Sequence, residues 1–273
     1  MEIDSRYQVK GTLGSGSQGC IAVATDKKTG KEVALKIYKM TSNKGRESFN
    51  HEVSLQDLLK HKSSNRICNI IECLASQEYG FIVMKKYEGD LYDIMFNKKV
   101  QFSDKRLKKL FKQIVIGVKQ LHDVGVAHLD IKPENILLDS KSKPFLCDFG
   151  SIYINESVKR SKLFKAKNVH KEVKGIEKRG TRKYAAPESY SQSPFDPFIA
   201  DVYSLGVMLF VMVTKMFPVE EAFNQMKENL NPLCLDLISS LLNVNPADRL
   251  TIDEILSHPW LSRKSKNQRI FIR

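Results

Sequence analysis

Two hydrophobic rhythms divide the chain. From residue 7 to about 40, apolar and β-branched residues gather in short runs, YQVKGTLG, GCIAVATD and EVALKIYKM, each of strand length. Lys28-Thr29-Gly30-Lys31 predicts a hairpin turn between the second and third. From Glu47 to Lys60 the apolar positions Phe49, Val53, Leu55, Leu58 and Leu59 recur at helical spacing. IIECLASQ and GFIVMKKY predict two more strands. After Tyr87 the rhythm lengthens. Ser103 is placed to cap a helix running through His122, with Leu107, Leu110, Phe111, Ile114 and Val118 on one face. NILLD and PFLCDF predict two short strands, and Ala200–Lys215, Cys234–Asn243 and Thr251–His258 predict helices. No internal repeat is present. The pattern predicts an α+β chain forming one domain over 1–273: a β-rich lobe at about 7–84, a link at 85–90, a mainly helical lobe at about 91–262, and a short basic tail at 263–273. A cleft between two such lobes is a natural ligand site.

Composition narrows the class. Of 273 residues, 42% are hydrophobic and 27% charged, enough for one large domain with a real core. The longest apolar run, Leu205 to Val213, is too short to span a bilayer, and MEIDSRYQVK lacks a secretory apolar segment. No membrane association is expected. The five cysteines form no CxxC or zinc-like spacing, which predicts reduced thiols in an intracellular protein of the cytoplasm or nucleus. A formal charge of +13 favours acidic partners, with ATP and nucleic acid among them, although lysine-rich surfaces are often only solvated faces. No nucleic-acid-binding module is recognisable, so nucleic acid is not the expected partner.

Candidate chemistry lies at fixed points on this pattern. Gly14, Gly16 and Gly19 stand as GxGxxG between two predicted strands, where the backbone can approach phosphates without a Cβ clash. An ordinary hairpin could carry the same glycines. A dinucleotide site would need a helix after them, and here a strand follows. Lys36 ends the run VALK, and Glu52 on the predicted helix is a carboxylate partner for it, with Glu47 as the fallback. In HLDIKPENILL, Asp130 and Asn135 stand five apart in a Pro-containing loop, with Lys132 adding positive charge. Asp148 follows a hydrophobic strand. Asn135 and Asp148 suit Mg²⁺, which takes one or two protein carboxylates together with substrate phosphates. Asp130 is then left as a base or orienting group for an attacking hydroxyl.

These residues, in this order, resemble the eukaryotic protein kinases of serine/threonine type from roughly Tyr7 to Trp260. Gly14-x-Gly16-x-x-Gly19-x-Ile21 is similar to the Gly-rich loop, Lys36 and Glu52 to the strand lysine and its helix partner, and His128-Leu129-Asp130 with Asn135 to the catalytic loop. Asp148-Phe149-Gly150 and Ala186-Pro187-Glu188 match two further landmarks. HPWL gives a weaker likeness to the calmodulin-dependent and checkpoint-like groups. The resemblance implies a bilobal fold with ATP and Mg²⁺ in the cleft. Leu13, Ile21 and Ala34 would lie above the adenine and Leu137 below it. Met84 would guard the pocket, Lys85 to Tyr87 would form the hinge, and Asp90 would reach the ribose. Lys36 would hold the α- and β-phosphates, and Asn135 and Asp148 the metal. Asp130 would act on the hydroxyl with Lys132 beside it. Asp201 and Arg249, the second paired with Glu188, would be structural. Lys132 and Thr181 imply Ser/Thr specificity.

The departures carry the regulatory expectations. Where most of the family has Arg before the catalytic Asp, this chain has Leu129, which cannot bind an activation-loop phosphate. Between Ser161 and Thr181 there is no Ser, Thr or Tyr, which leaves Ser157 and Ser161 as remote acceptors. Activity without activation-loop phosphorylation is therefore expected. The stretch from Lys159 to Lys183 is crowded with Lys and Arg, which reads either as a solvated insert or as a docking surface for acidic protein substrates or a regulatory protein partner. Gln56 stands where many relatives place an apolar residue on Phe149. Cys147 is either a small filler or a thiol open to covalent ligands. A nucleotide-binding scaffold without turnover is the alternative function.

Overall fold

A computed structural model describes residues 2–16, 19–60, 65–155, 180–191, 193–226 and 228–262. A five-stranded antiparallel sheet, in the order β1-β2-β3-β5-β4, forms the first lobe. Its strands are β1 (Tyr7–Gly16), β2 (Gly19–Asp26), β3 (Glu32–Lys39), β4 (Ile70–Ala75) and β5 (Tyr79–Lys85). The period of two divides β3 between two cores. Val33 and Leu35 join Ala22, Ala24, Phe81 and Val83 on the outer face, covered by Ile3 and Tyr7. Ala34 and Tyr38 join Phe49, Ile82 and Met84 on the inner face, toward the second lobe. The lobe begins earlier than expected. A short helix α1 (Glu2–Arg6) precedes β1, and its Ile3 is buried.

Helix α2 (Asn43–Leu59) also begins earlier than the apolar pattern predicts. Ser42 caps it, its Oγ accepting from Gly45 N at 2.9 Å. The first turn, Asn43-Lys44-Gly45-Arg46, has no apolar residue to register in a periodicity.

The link is shorter than 85–90. Lys85 still pairs with Val33, and β6 (Gly89–Asp90) already pairs with the second lobe. That lobe is built on α3 (Asp104–His122), whose Leu107, Leu110, Phe111, Ile114 and Val118 are buried as expected. Ser103 occupies the capping position, but its side chain makes no capping hydrogen bond. Strands β7 (Val126–Ala127), β8 (Ile136–Leu138), β9 (Pro144–Leu146) and β10 (Tyr153–Ile154) follow. β8 pairs with both β6 and β9, and β7 with β10.

Helix α4 (Pro197–Thr214) is long and apolar enough to cross a membrane, alone in this among the described residues. It is the buried core helix of the second lobe, enclosed with Leu237, Ile238 and Leu241. Helices α5 (Glu220–Met226), α6 (Pro232–Leu241), α7 (Ile252–Ser257) and α8 (Pro259–Ser262) complete the lobe. Gly206 lets α4 approach α6, since a Cβ there would meet Leu241 Cβ at 2.7 Å.

Candidate active site

Directly opposed residues of an antiparallel ladder share a face. Ile21 pairs with Lys36 and Lys36 with Ile82, while Ala34 pairs with Met84, so these side chains line the side of the sheet turned to the cleft. Leu13 and Ile21 stay 58% and 37% exposed, leaving apolar surface at the roof of the cleft. Gly14 pairs with Ile21, and the ladder runs through Gly16 and Gly19. The tip, Ser17-Gln18, lies outside the described residues. Gly19, at φ +154°, passes so close to Ile37 that a Cβ would fall 2.1 Å from its carbonyl oxygen. Below, Leu137 is opposed by Asp90 on one side and Phe145 on the other. The Tyr87 ring packs against Phe145 at 5.0 Å between centroids, and its hydroxyl accepts from Asn69 N at 3.2 Å. Asp90 accepts from Asp93 N at 2.8 Å, and burial pushes its carboxyl up from the usual carboxylate range.

Lys36 joins the two lobes. Its Nζ donates to Glu52 Oε1 and to Asp148 Oδ1, both at 2.7 Å. Burial acts to lower the ammonium pKa, but the two carboxylates outweigh it and hold the pKa well above the ordinary lysine value. Burial likewise works to raise the Asp148 pKa, and Lys36 wins, keeping it below the usual range. Glu47, the fallback, is half exposed and approaches His51 instead. Tyr38 is a residue that motif reading missed. Its hydroxyl donates to Glu52 Oε1 at 2.7 Å. The signal was its place two residues after Lys36, on the same face of the strand. Helix α2 also meets the turn after Asp148, with His51 Nδ1 3.0 Å from Gly150 O.

The catalytic-loop residues converge on one carboxylate. Asp130 Oδ2 accepts from Lys132 Nζ at 2.8 Å and Asn135 Nδ2 at 3.0 Å. Its Oδ1 accepts from the Thr181 amide at 2.8 Å and the Thr181 hydroxyl at 2.9 Å. Lys132 Nζ also donates to Thr181 Oγ1 at 2.7 Å. These contacts join the two residues from which Ser/Thr specificity was read. Asp201, fully buried in α4, accepts from the backbone amides of His128 and Leu129 at 2.7 and 2.8 Å, with His122 Nε2 2.9 Å away. His122 went unnoticed in the sequence because its contact is 79 residues distant. Leu129 sits at φ +59°, a costly conformation for a branched side chain, and these two bonds hold the loop in it. Asp148, at φ +63°, has the same kind of backbone.

Leu129 does more than replace an arginine. It is 8% exposed and packs in a cluster with Ala127, Ala186, Phe195 and Phe198. Gly180, at φ +82°, presses on its carbonyl, where a Cβ would fall at 2.2 Å. The residues that follow, Thr181 to Glu188, are tied down by Arg249, whose guanidinium donates to both Glu188 oxygens at 2.5 and 2.9 Å. Ser157, Ser161 and the basic residues from Lys159 to Arg179 lie outside the described residues.

Two expectations are corrected or sharpened. Burial pushes the Cys147 thiol well above its ordinary pKa, the direction expected of a small filler. Gln56 accepts from Cys73 Sγ at 3.0 Å and shares with Phe149 the wall of a cavity behind α2, so its polar end has a partner.

The donor set fits a hydrated, hard divalent ion. Asn135 uses Nδ2 toward Asp130, and Asp148 uses Oδ1 toward Lys36. No hydrogen bond among the described residues takes Asn135 Oδ1 or Asp148 Oδ2. Two protein oxygens, with the remaining positions left to water and phosphates, suit Mg²⁺ rather than a closed protein cage.

Comparison with known proteins agrees with this geometry. Residues 7–261 match the protein kinase domain family. The chain is 30% identical to CBL-interacting serine/threonine-protein kinase 26 of Arabidopsis thaliana, over 96% of its own length and 60% of that protein. It is 32% identical to serine/threonine-protein kinase D3 of Mus musculus, over 96% of its length and 30% of that protein. It therefore spans 60% or less of the length of these relatives. The chain belongs to the protein kinase family.

Proposed function

We propose that the protein transfers the γ-phosphoryl group of ATP to serine or threonine hydroxyls of other proteins. The observation that carries this is the closed set around Asp130, in which Lys132, Asn135 and Thr181 fill its acceptor positions. An entering hydroxyl takes the place of one donor, and the Thr181 hydroxyl, free to rotate, is the one suited to yield. Asp130 then orients that hydroxyl and accepts its proton. Lys132 offsets negative charge beside it, and Lys36 offers an ammonium already fixed between lobes to the α- and β-phosphates. Asn135 and Asp148 would hold Mg²⁺, which supplies charge neutralisation on the phosphates when bound. Leu13, Ile21, Ala34, Met84 and Leu137 offer the adenine an apolar slot.

We infer further that activity does not depend on an activation-loop phosphate. Leu129 supports this, because its side chain is committed to an apolar cluster. Acidic protein substrates, a regulatory partner of the sort that the CBL-interacting relative's name records, and an intracellular location complete the proposal. The five free cysteines suit a reducing compartment. Phosphoamino-acid analysis of peptide pools labelled by the recombinant protein tests the acceptor class. Label on Ser and Thr is expected, and label confined to Tyr would refute the assignment.

A further inference from the structure

A second cavity, of about 630 Å³, lies away from the phosphate-handling residues. Its walls come from the start of α3, the β8–β9 hairpin and the segment entering β4. Leu138 contributes to it. Side chains alternate along a strand, so Leu138 points away from the face on which Leu137 looks into the nucleotide cleft. The two sites therefore share one strand and open on opposite sides of it.

The lining carries one sign of charge. Arg66, Arg106, Lys109, Lys141 and Lys143 line the cavity, and no Asp or Glu does. Among the described residues, none of the five forms a salt bridge. Arg106 instead lies over the Phe102 ring at 4.6 Å and donates to Ser142 Oγ at 2.8 Å. One oxygen of the nearby Asp139 carboxylate, Oδ1, accepts from the amides of both Lys141 and Lys143, at 2.9 and 2.8 Å. A concave surface of uniform charge concentrates its field and attracts the opposite sign.

Two further atoms lack partners. Arg66 Nε, a donor, and Gln113 Oε1, an acceptor, are buried without a hydrogen bond. Both residues line the cavity. Leaving such groups unsatisfied costs about 1–3 kcal/mol each. The backbone behind them is fixed: Arg66 N donates to Gln120 Oε1 at 3.2 Å, and Arg66 O accepts from Leu146 N at 2.8 Å. The site is preformed in its main chain.

We propose that this cavity is a docking site for an acidic segment of a protein substrate. Carboxylates match the cations, and the arginines offer planar forks for them. Phe102 and Leu110 give the segment an apolar floor. That the partner is a substrate rests on the kinase reading above. The binding itself does not, so the two fail separately.

The test is fluorescence anisotropy of a short labelled Glu- and Asp-rich peptide with the full chain. The paired variants Arg106→Glu with Lys109→Glu, and Lys141→Glu with Lys143→Glu, change exposed or half-buried groups, and thermal unfolding checks that each is folded. Each pair is expected to weaken binding by about tenfold or more. The control pair Lys27→Glu with Lys28→Glu, far from the cavity, is expected to weaken it by about twofold or less. Transfer to a short acceptor peptide without an acidic segment should be unchanged in the cavity variants. Equal losses in cavity and control variants would overturn the proposal, because attraction by net charge alone would explain them. Tighter binding of an RNA oligonucleotide, lost in the same variants, would overturn the peptide as occupant.

Discussion

Lys36 shows at the scale of one residue what a buried charge requires. Its side chain is 7% exposed and that of Glu52 is 1% exposed, so removing the ammonium strands a carboxylate. Lys36→Met should lower stability by about 3–5 kcal/mol in urea unfolding, besides abolishing transfer. Leu129 gives a prediction of opposite character. Leu129→Arg restores the residue usual in the family but drives a guanidinium among Ala127, Phe195 and Phe198. The loss should be about 3 kcal/mol, with no gained response to a phosphate. A rise in activity on loop phosphorylation of this variant, without loss of stability, would contradict the packing account. Lys36, Asp130, Asn135 and Asp148 were legible because each belongs to a spaced motif. Tyr38 and His122 were not, because their roles come from partners that only the fold supplies. The apolar cluster around Leu129 was hidden for the same reason: Phe195 and Phe198 are more than sixty residues away in the chain.

Elements were legible wherever burial imposed a period. The strands of the first lobe and the apolar face of α3 follow from alternation and helical spacing. Boundaries set by polar contacts did not. Helix α2 starts at Asn43 because the Ser42 hydroxyl receives an amide there, and Ser42→Ala should cost about 1 kcal/mol, readable as a fall in Tm. Ser103, an equally good capping residue by type, makes no such bond, so Ser103→Ala should cost clearly less. At α4 the limiting feature is space. Gly206→Ala places a methyl group 2.7 Å from Leu241 Cβ and should destabilise by about 1–3 kcal/mol. If Gly206→Ala were neutral, the close approach of α4 to α6 would be wrong.

Over the whole molecule, two lobes are joined through few covalent residues and through the Lys36 cluster. The bilobal α+β architecture was readable from the change of rhythm after Tyr87, while the early helix Glu2–Arg6 was too short to leave a period. The ion pairs of Lys36 set a pH signature. The Asp148 pKa is depressed in the folded state, so its contribution is present above the ordinary carboxylate value and is lost as pH falls through the lower folded value. The Lys36 pKa is raised, so its contribution is complete below the ordinary lysine value and is lost only as pH rises through the higher folded value. A stability plateau from mildly acidic to mildly alkaline pH is expected, with Asp148→Asn shifting the acid limb. We propose that this geometry is competent as it stands. The most direct measurement is phosphate transfer from labelled MgATP to Ser/Thr peptides by phosphatase-treated recombinant protein, beside Asp130→Asn. Transfer by the dephosphorylated chain, lost in Asp130→Asn, is the predicted result. Transfer that survives in Asp130→Asn, or that requires a phosphate mapped to residues 156–181, would contradict the account.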